Sequence, residues 1–150
     1  MPTLKHQLHT LCLAHIDSRI RAANEVIIQA QDSANDETKS SAGDKYETGR
    51  AMAQLEIEKT QTQLHEAQAQ RKLLLQLDSG SVHDVVQPGS LVFTSEGNFY
   101  IAIAAGQFTI DGTSYFCVSP YAPLSQKLLG MKPGERFVFN GKEFAVVKIK

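Results

Sequence analysis

Five carboxylates, Asp32, Asp36, Glu37, Asp44 and Glu47, fall within 16 consecutive residues, against only Lys39 and Lys45. Clustered carboxylate oxygens suit a hard cation such as Mg²⁺, which takes one or two protein carboxylates and draws its remaining ligands from water and phosphates. From the charge cluster alone a solvated loop is the favoured reading, with a charge set that completes a metal site on a partner as its alternative. Asp44 and Glu47 have a simpler explanation as well. Placed in the first turn of a helix, with Ser41 or Gly43 capping, they are favoured by the helix dipole by ~0.3–1 kcal/mol each. Asp36 and Glu37 have no such excuse, because near a helix C-terminus the dipole disfavours anions. They are the first candidates for use, with Asp44 as substitute.

Two long periodic segments must position this cluster. Between Thr3 and Leu77 there is no proline, and Gln, Ala, Glu and Leu dominate, a helix-forming composition. Leu8, Cys12, Ile16, Ile20, Ala23, Ile27 and Ala30 advance by fours and threes and keep one apolar stripe. Ala53, Ile57, Thr60, Leu64, Ala67, Arg71 and Leu74 form a second seam of heptad type with small and polar members. Two such stripes bury each other most economically as an antiparallel pair joined by a short polar link. Opposing Leu4 to Leu77 puts the bend between Ser40 and Ser41, inside the stretch Thr38 to Gly43 where the periodicity is weakest. Arms of about 30 residues would reach ~45 Å, so the pair is expected to project with an acidic tip near residues 36–44.

After Asp78-Ser79-Gly80-Ser81 the text changes to short runs of Val, Phe, Tyr and Ile punctuated by Gly and Pro, the grammar of strands and tight turns. The expected division is therefore residues 1–79, a helical hairpin of coiled-coil type, and residues 80–150, a small antiparallel β domain: an α+β chain. Strands are predicted at Gly89 to Thr94 and Phe99 to Ala104, across Gln107 to Val118 with a turn at Asp111-Gly112, and from Gly134 to Lys150 with a turn at Asn140-Gly141. Ser119 to Gly130 reads as a turn followed by one short helix that ends at the glycine.

Several function classes are set aside by composition. With 15 basic and 16 acidic side chains, no cationic excess drives independent DNA binding. Cys12 and Cys117 stand outside any CxxC spacing and read as buried thiols of a reducing, cytoplasmic compartment. No stretch has the character of an export signal or a membrane span. There is no P-loop, no GxGxxG and no nucleophile elbow. His9 and His15 are six apart, not at the spacing of a helical zinc pair, and are expected on solvent-facing helix surface.

Four elements of the second half carry a resemblance: Gly89-Ser90-Leu91-Val92, then Ser119-Pro120, then Leu128-Leu129-Gly130, then Gly134-Glu135. In this order and spacing the chain resembles the GreA/GreB family of bacterial transcript-cleavage factors, whose helical hairpin precedes such a domain. The resemblance implies an FKBP-like β domain docked on the rim of the RNA polymerase secondary channel and a hairpin that enters the channel. Its acidic tip would reach the active-site Mg²⁺ and the extruded RNA 3′ end. The chain would then bind no cofactor alone and act in trans, as an accessory factor rather than an enzyme. Asp36 and Glu37 would hold the shared metal or its water, and Ser119, Pro120 and Tyr121 would meet the rim. The tip departs from the family pattern of an Asp, a Glu three residues on and a Glu-Tyr soon after: here Asp36-Glu37 is followed by Ala42-Gly43-Asp44-Lys45-Tyr46-Glu47. Rival readings are a channel binder that regulates or inhibits without cleavage, and an FKBP-like peptide-binding or prolyl isomerase module.

Overall fold

The computed structural model describes residues 3–38 and 43–150, with side chains described for 3–35 and 48–150. Among them the chain order is α1 (Leu4–Thr38), α2 (Gly43–Gln76), β1 (Leu91–Thr94), β2 (Gly97–Ile101), β3 (Gly106–Ile110), β4 (Thr113–Val118), α3 (Pro123–Leu128), β5 (Arg136–Phe139) and β6 (Lys142–Ile149). A long N-terminal helical hairpin thus precedes a six-stranded, mostly antiparallel sheet with one short helix. Backbone contacts divide the chain into two compact units, one of Met1–His15 with Lys72–Lys150 and the other of Ile16–Arg71.

The unit Ile16–Arg71 is a pair of antiparallel helical arms. Asp17 Oδ1 accepts a hydrogen bond from Arg71 Nε at 2.6 Å, and Arg19 Nη1 donates to Gln70 Oε1 at 3.3 Å. Residue numbers rise on one arm as they fall on the other, as the seams require. Ile16, Ala30, Ile57, Thr60 and Ala67 are buried along the stripes read from the sequence. The Asp17–Arg71 pair is 40% exposed on both sides, so it fixes register more than it stabilises, at about 0–1 kcal/mol. The bend expected at Ser40–Ser41 lies outside the described residues.

In the other unit the strand order is β3-β4-β2-β1-β6-β5. Two of the three short hairpins, β3–β4 and β5–β6, turn through left-handed backbone at two successive residues, Asp111 (φ 50°) with Gly112 (φ 80°) and Asn140 (φ 52°) with Gly141 (φ 78°). That geometry matches the right-handed twist of the flanking strands. The expected antiparallel sheet contains one parallel pair, β2 with β4, running from Phe99↔Phe116 to Ile101↔Val118. It arises because β3 pairs only with β4, so the β3-β4 hairpin lies beside β2 with β4 inward.

β2 is buried on both faces, as a central strand covered on two sides must be. One face carries Val92, Phe99, Ile101, Phe144, Val146 and Ile149 against Leu128 of α3 and Val86. Phe144 stacks on Phe137 with ring centroids 5.0 Å apart, and Phe99 joins Phe144 to Phe116. On the opposite face Leu91, Tyr100 and Cys117 are buried, and the first turns of α1 reach it: Tyr100 Oη bonds His9 Nδ1 at 3.0 Å. β6 serves two partners, Lys142 to Ala145 pairing with β5 and Val146 to Ile149 with β1. The register slips between Phe93↔Lys148 and Thr94↔Val146, which leaves Val147 as the extra residue of a bulge and 64% exposed.

Candidate functional site

Asp36 and Glu37 belong to the last turn of α1, and Asp44 to the first turn of α2. The backbone therefore puts the first two at the end of a helix where the dipole opposes negative charge and the third where it favours it. The side chains of all three lie outside the described residues. Asp32, one turn earlier, is exposed.

Ser119, Pro120 and Tyr121 form the turn that leads from β4 into α3. The Ser119 carbonyl accepts the Ala122 N–H at 3.1 Å and the Ser125 hydroxyl at 2.6 Å, and Ser119 Oγ accepts the Tyr121 N–H at 3.1 Å. Gln126 Nε2 donates to the Pro120 carbonyl at 2.7 Å. Pro123 opens α3 from an extended Ala122, where a missing N–H costs nothing. Gly130, at φ +86°, ends the helix, and its N–H donates to the Val86 carbonyl at 2.8 Å. The turn is thus held by four hydrogen bonds. Ser119 and Pro120 are consumed by it, while Tyr121 stands 80% exposed. Of the three residues singled out from the sequence, Tyr121 is the one whose side chain is exposed to solvent.

The other resemblance motifs are likewise built into the β unit. Gly89, at φ +91°, turns the chain into β1, and Gly134, at φ +93°, turns it toward β5. Ser90 is fully buried, its Oγ accepting the Gln87 N–H at 3.0 Å and bonding His83 Nδ1 at 2.7 Å. A His–Ser pair invites comparison with a nucleophile and its base. The burial of Ser90 keeps substrate away, so the pair is an internal tie.

His9 is a correction to the sequence reading. It is half-buried and bonded to a fully buried tyrosine rather than lying on free helix surface. Its position next to Leu8 and three before Cys12, at the margin of the apolar stripe, was the signal for this. Burial, and then the neighbouring His6, hold its pKa below the usual histidine value. The adjacent Cys117 thiol, and then burial, push the Cys12 thiol well above the ordinary range. Burial also raises Tyr100. Both cysteines are free and buried, as expected, and a thiol held protonated is a poor nucleophile. The set fastens α1 to β2 and β4. Among the described residues no three His, Cys, Asp or Glu side chains are grouped to hold a metal, and no helix is long and apolar enough to cross a membrane.

No protein-family model matches this chain, and no curated protein does. Among solved structures, one described as that of the transcription factor Gfh1 is 19% identical over 91% of this chain and 92% of that one, with a TM-score of 0.36.

Proposed function

We propose that this chain is a transcription factor that binds RNA polymerase at its secondary channel and promotes cleavage of backtracked RNA through tip carboxylates. The observation that carries the reading is the combination of a hairpin of 35- and 34-residue helices, whose adjoining ends bear Asp36, Glu37 and Asp44, with a β unit presenting Tyr121 on a braced turn. Each helix is about 50 Å long at the standard rise, a reach that suits insertion into a partner. In this reading the β unit docks on the channel rim through Tyr121, and the hairpin carries its acidic end toward the active centre. The all-oxygen donor set of Asp36 and Glu37 suits Mg²⁺. Asp36 and Glu37 would help to hold a second Mg²⁺ in the polymerase site, where it would supply charge neutralisation and an activated water. The chain's own part is to hold that charge in place and exclude alternatives. It has no reaction of its own when isolated.

One observation favours a second reading, a channel binder that regulates without cleaving: Asp36 and Glu37 are adjacent rather than three apart. Both readings require polymerase binding, so the first test is co-purification of the full chain with core RNA polymerase. Retention at stoichiometric ratio supports them, and a chain that elutes free at micromolar concentrations contradicts both.

A further inference from the structure

Strand β3 is the last in the sheet order and, among the described residues, pairs with β4 alone. The two-residue turn Asp111-Gly112 closes on a hydrogen-bonded pair, Ile110 with Thr113. Bonded and non-bonded pairs alternate along an antiparallel ladder, so Gln107 and Thr109 turn their N–H and C=O groups away from β4, two donors and two acceptors on the sheet edge. β5, at the other edge, has only four residues, carries Arg136 and follows Lys132-Pro133, the charge and proline with which sheet edges resist pairing. β3 reads Gly106-Gln107-Phe108-Thr109-Ile110 and contains neither.

Beside this edge the first turns of α1 and the end of β3 enclose a cavity of about 350 Å³ lined by His6, Gln7, Thr10, Leu11 and Ile110. Both segments belong to one compact unit. Phe108 stands opposite Tyr115 and two residues from Ile110, so it shares this face, while Gln107 and Thr109 are exposed on the other.

We propose that β3 pairs antiparallel with β3 of a second copy of this chain, about a two-fold axis at Phe108. In that register Gln107 stands opposite the partner's Thr109, and Thr109 opposite the partner's Gln107, so every outward N–H and C=O on the two edges is satisfied. Phe108 meets the partner's Phe108, and Ile110 faces the partner's Gly106, which adds no side chain over the cavity. The partner's Phe108 is then the diagonal neighbour of Ile110, within reach for an aromatic ring, and it is the apolar group that the cavity receives. No charged residue of either strand is brought against another. The strand is its own complement in hydrogen bonds and charge, as an isologous contact requires, and this selects a second copy over a foreign strand. Five residues a side make a small interface of the transient class, so the dimer forms as concentration rises. The pairing is a property of the isolated chain and does not draw on polymerase binding.

The test is sedimentation of the full-length protein from micromolar to millimolar concentrations, with backbone amide exchange followed over the same range. A reversible monomer–dimer equilibrium is expected, with exchange at Gln107 and Thr109 slowing as dimer accumulates. Q107K/T109K sets lysine opposite lysine at two exposed positions and is expected to weaken dimerisation by about tenfold with an unchanged melting temperature. Mixing it with Q107E/T109E is expected to restore the dimer. A chain that stays monomeric at millimolar concentration overturns the proposal, as does a dimer that leaves these two amides exchanging freely or that survives Q107K/T109K unweakened. Protection of both amides in a monomeric chain on addition of core RNA polymerase gives the edge to a foreign strand and equally overturns it.

Discussion

Replacing Ser125 by Ala and Tyr121 by Ala should separate the bracing of the docking turn from its contact with a partner. Ser125 is fully buried, and its hydroxyl donates to the Ser119 carbonyl at 2.6 Å. In Ser125→Ala that carbonyl still accepts the Ala122 N–H, so no buried acceptor is orphaned. The loss is one hydrogen bond, about 1 kcal/mol. For a chain of 150 residues this lowers Tm by roughly 2–4 °C. In Tyr121→Ala the backbone N–H bond to Ser119 Oγ survives and only an exposed ring is removed, so stability should move by no more than ~0.5 kcal/mol. A tyrosine anchoring an interface costs about 2 kcal/mol when truncated, roughly 30-fold in affinity. Urea and thermal melts give the first numbers, and fluorescence-anisotropy competition against core RNA polymerase gives the second. Wild-type affinity in Tyr121→Ala would refute the docking assignment. A Ser125→Ala variant that is neutral, or that loses more than about 3 kcal/mol, would refute the reasoning about the turn.

Gly112→Ala and Gly141→Ala should each cost about 1–2 kcal/mol through the left-handed backbone alone, since nothing lies within 4 Å of a Cβ built at either position; equilibrium unfolding that matches wild type would contradict this. Stability should fall as pH drops through about 6.5, because His9 and His83 resist protonation in the fold, chiefly by burial, and take protons freely when unfolded. Urea midpoints at pH 7.5, 6.5 and 5.5 check the sign, with H9Q/H83Q expected to flatten the dependence and a midpoint that rises on acidification contradicting it.

The helical seams were legible because periodicity is a local property: every position of the second seam, from Ala53 to Leu74, is buried or half-buried. The turns at Asp111-Gly112 and Asn140-Gly141 were legible for the same reason, since two residues dictate the left-handed backbone. What depended on distant segments was not. The parallel β2–β4 pair follows from where a hairpin docks, and the Val147 bulge from matching β6 to both β1 and β5. The bond from His9 to Tyr100 spans 91 positions, so the margin of the apolar stripe marks His9 for partial burial but no local pattern names its partner. For the site, the sequence singled out Ser119, Pro120 and Tyr121 together, whereas the hydrogen bonds assign two of them to the turn and leave the Tyr121 side chain exposed.

In the proposed function, carboxylates at the adjoining ends of α1 and α2 act on RNA held by polymerase. Its most direct test is cleavage of the RNA 3′ end in a stalled, backtracked elongation complex, with wild type, D36A/E37A and Y121A compared at matched occupancy of polymerase. Wild type should cleave, D36A/E37A should bind without cleaving, and cleavage by Y121A should recover as its concentration is raised. Wild type that binds yet leaves the RNA intact, or D36A/E37A that cleaves as wild type does, would contradict it.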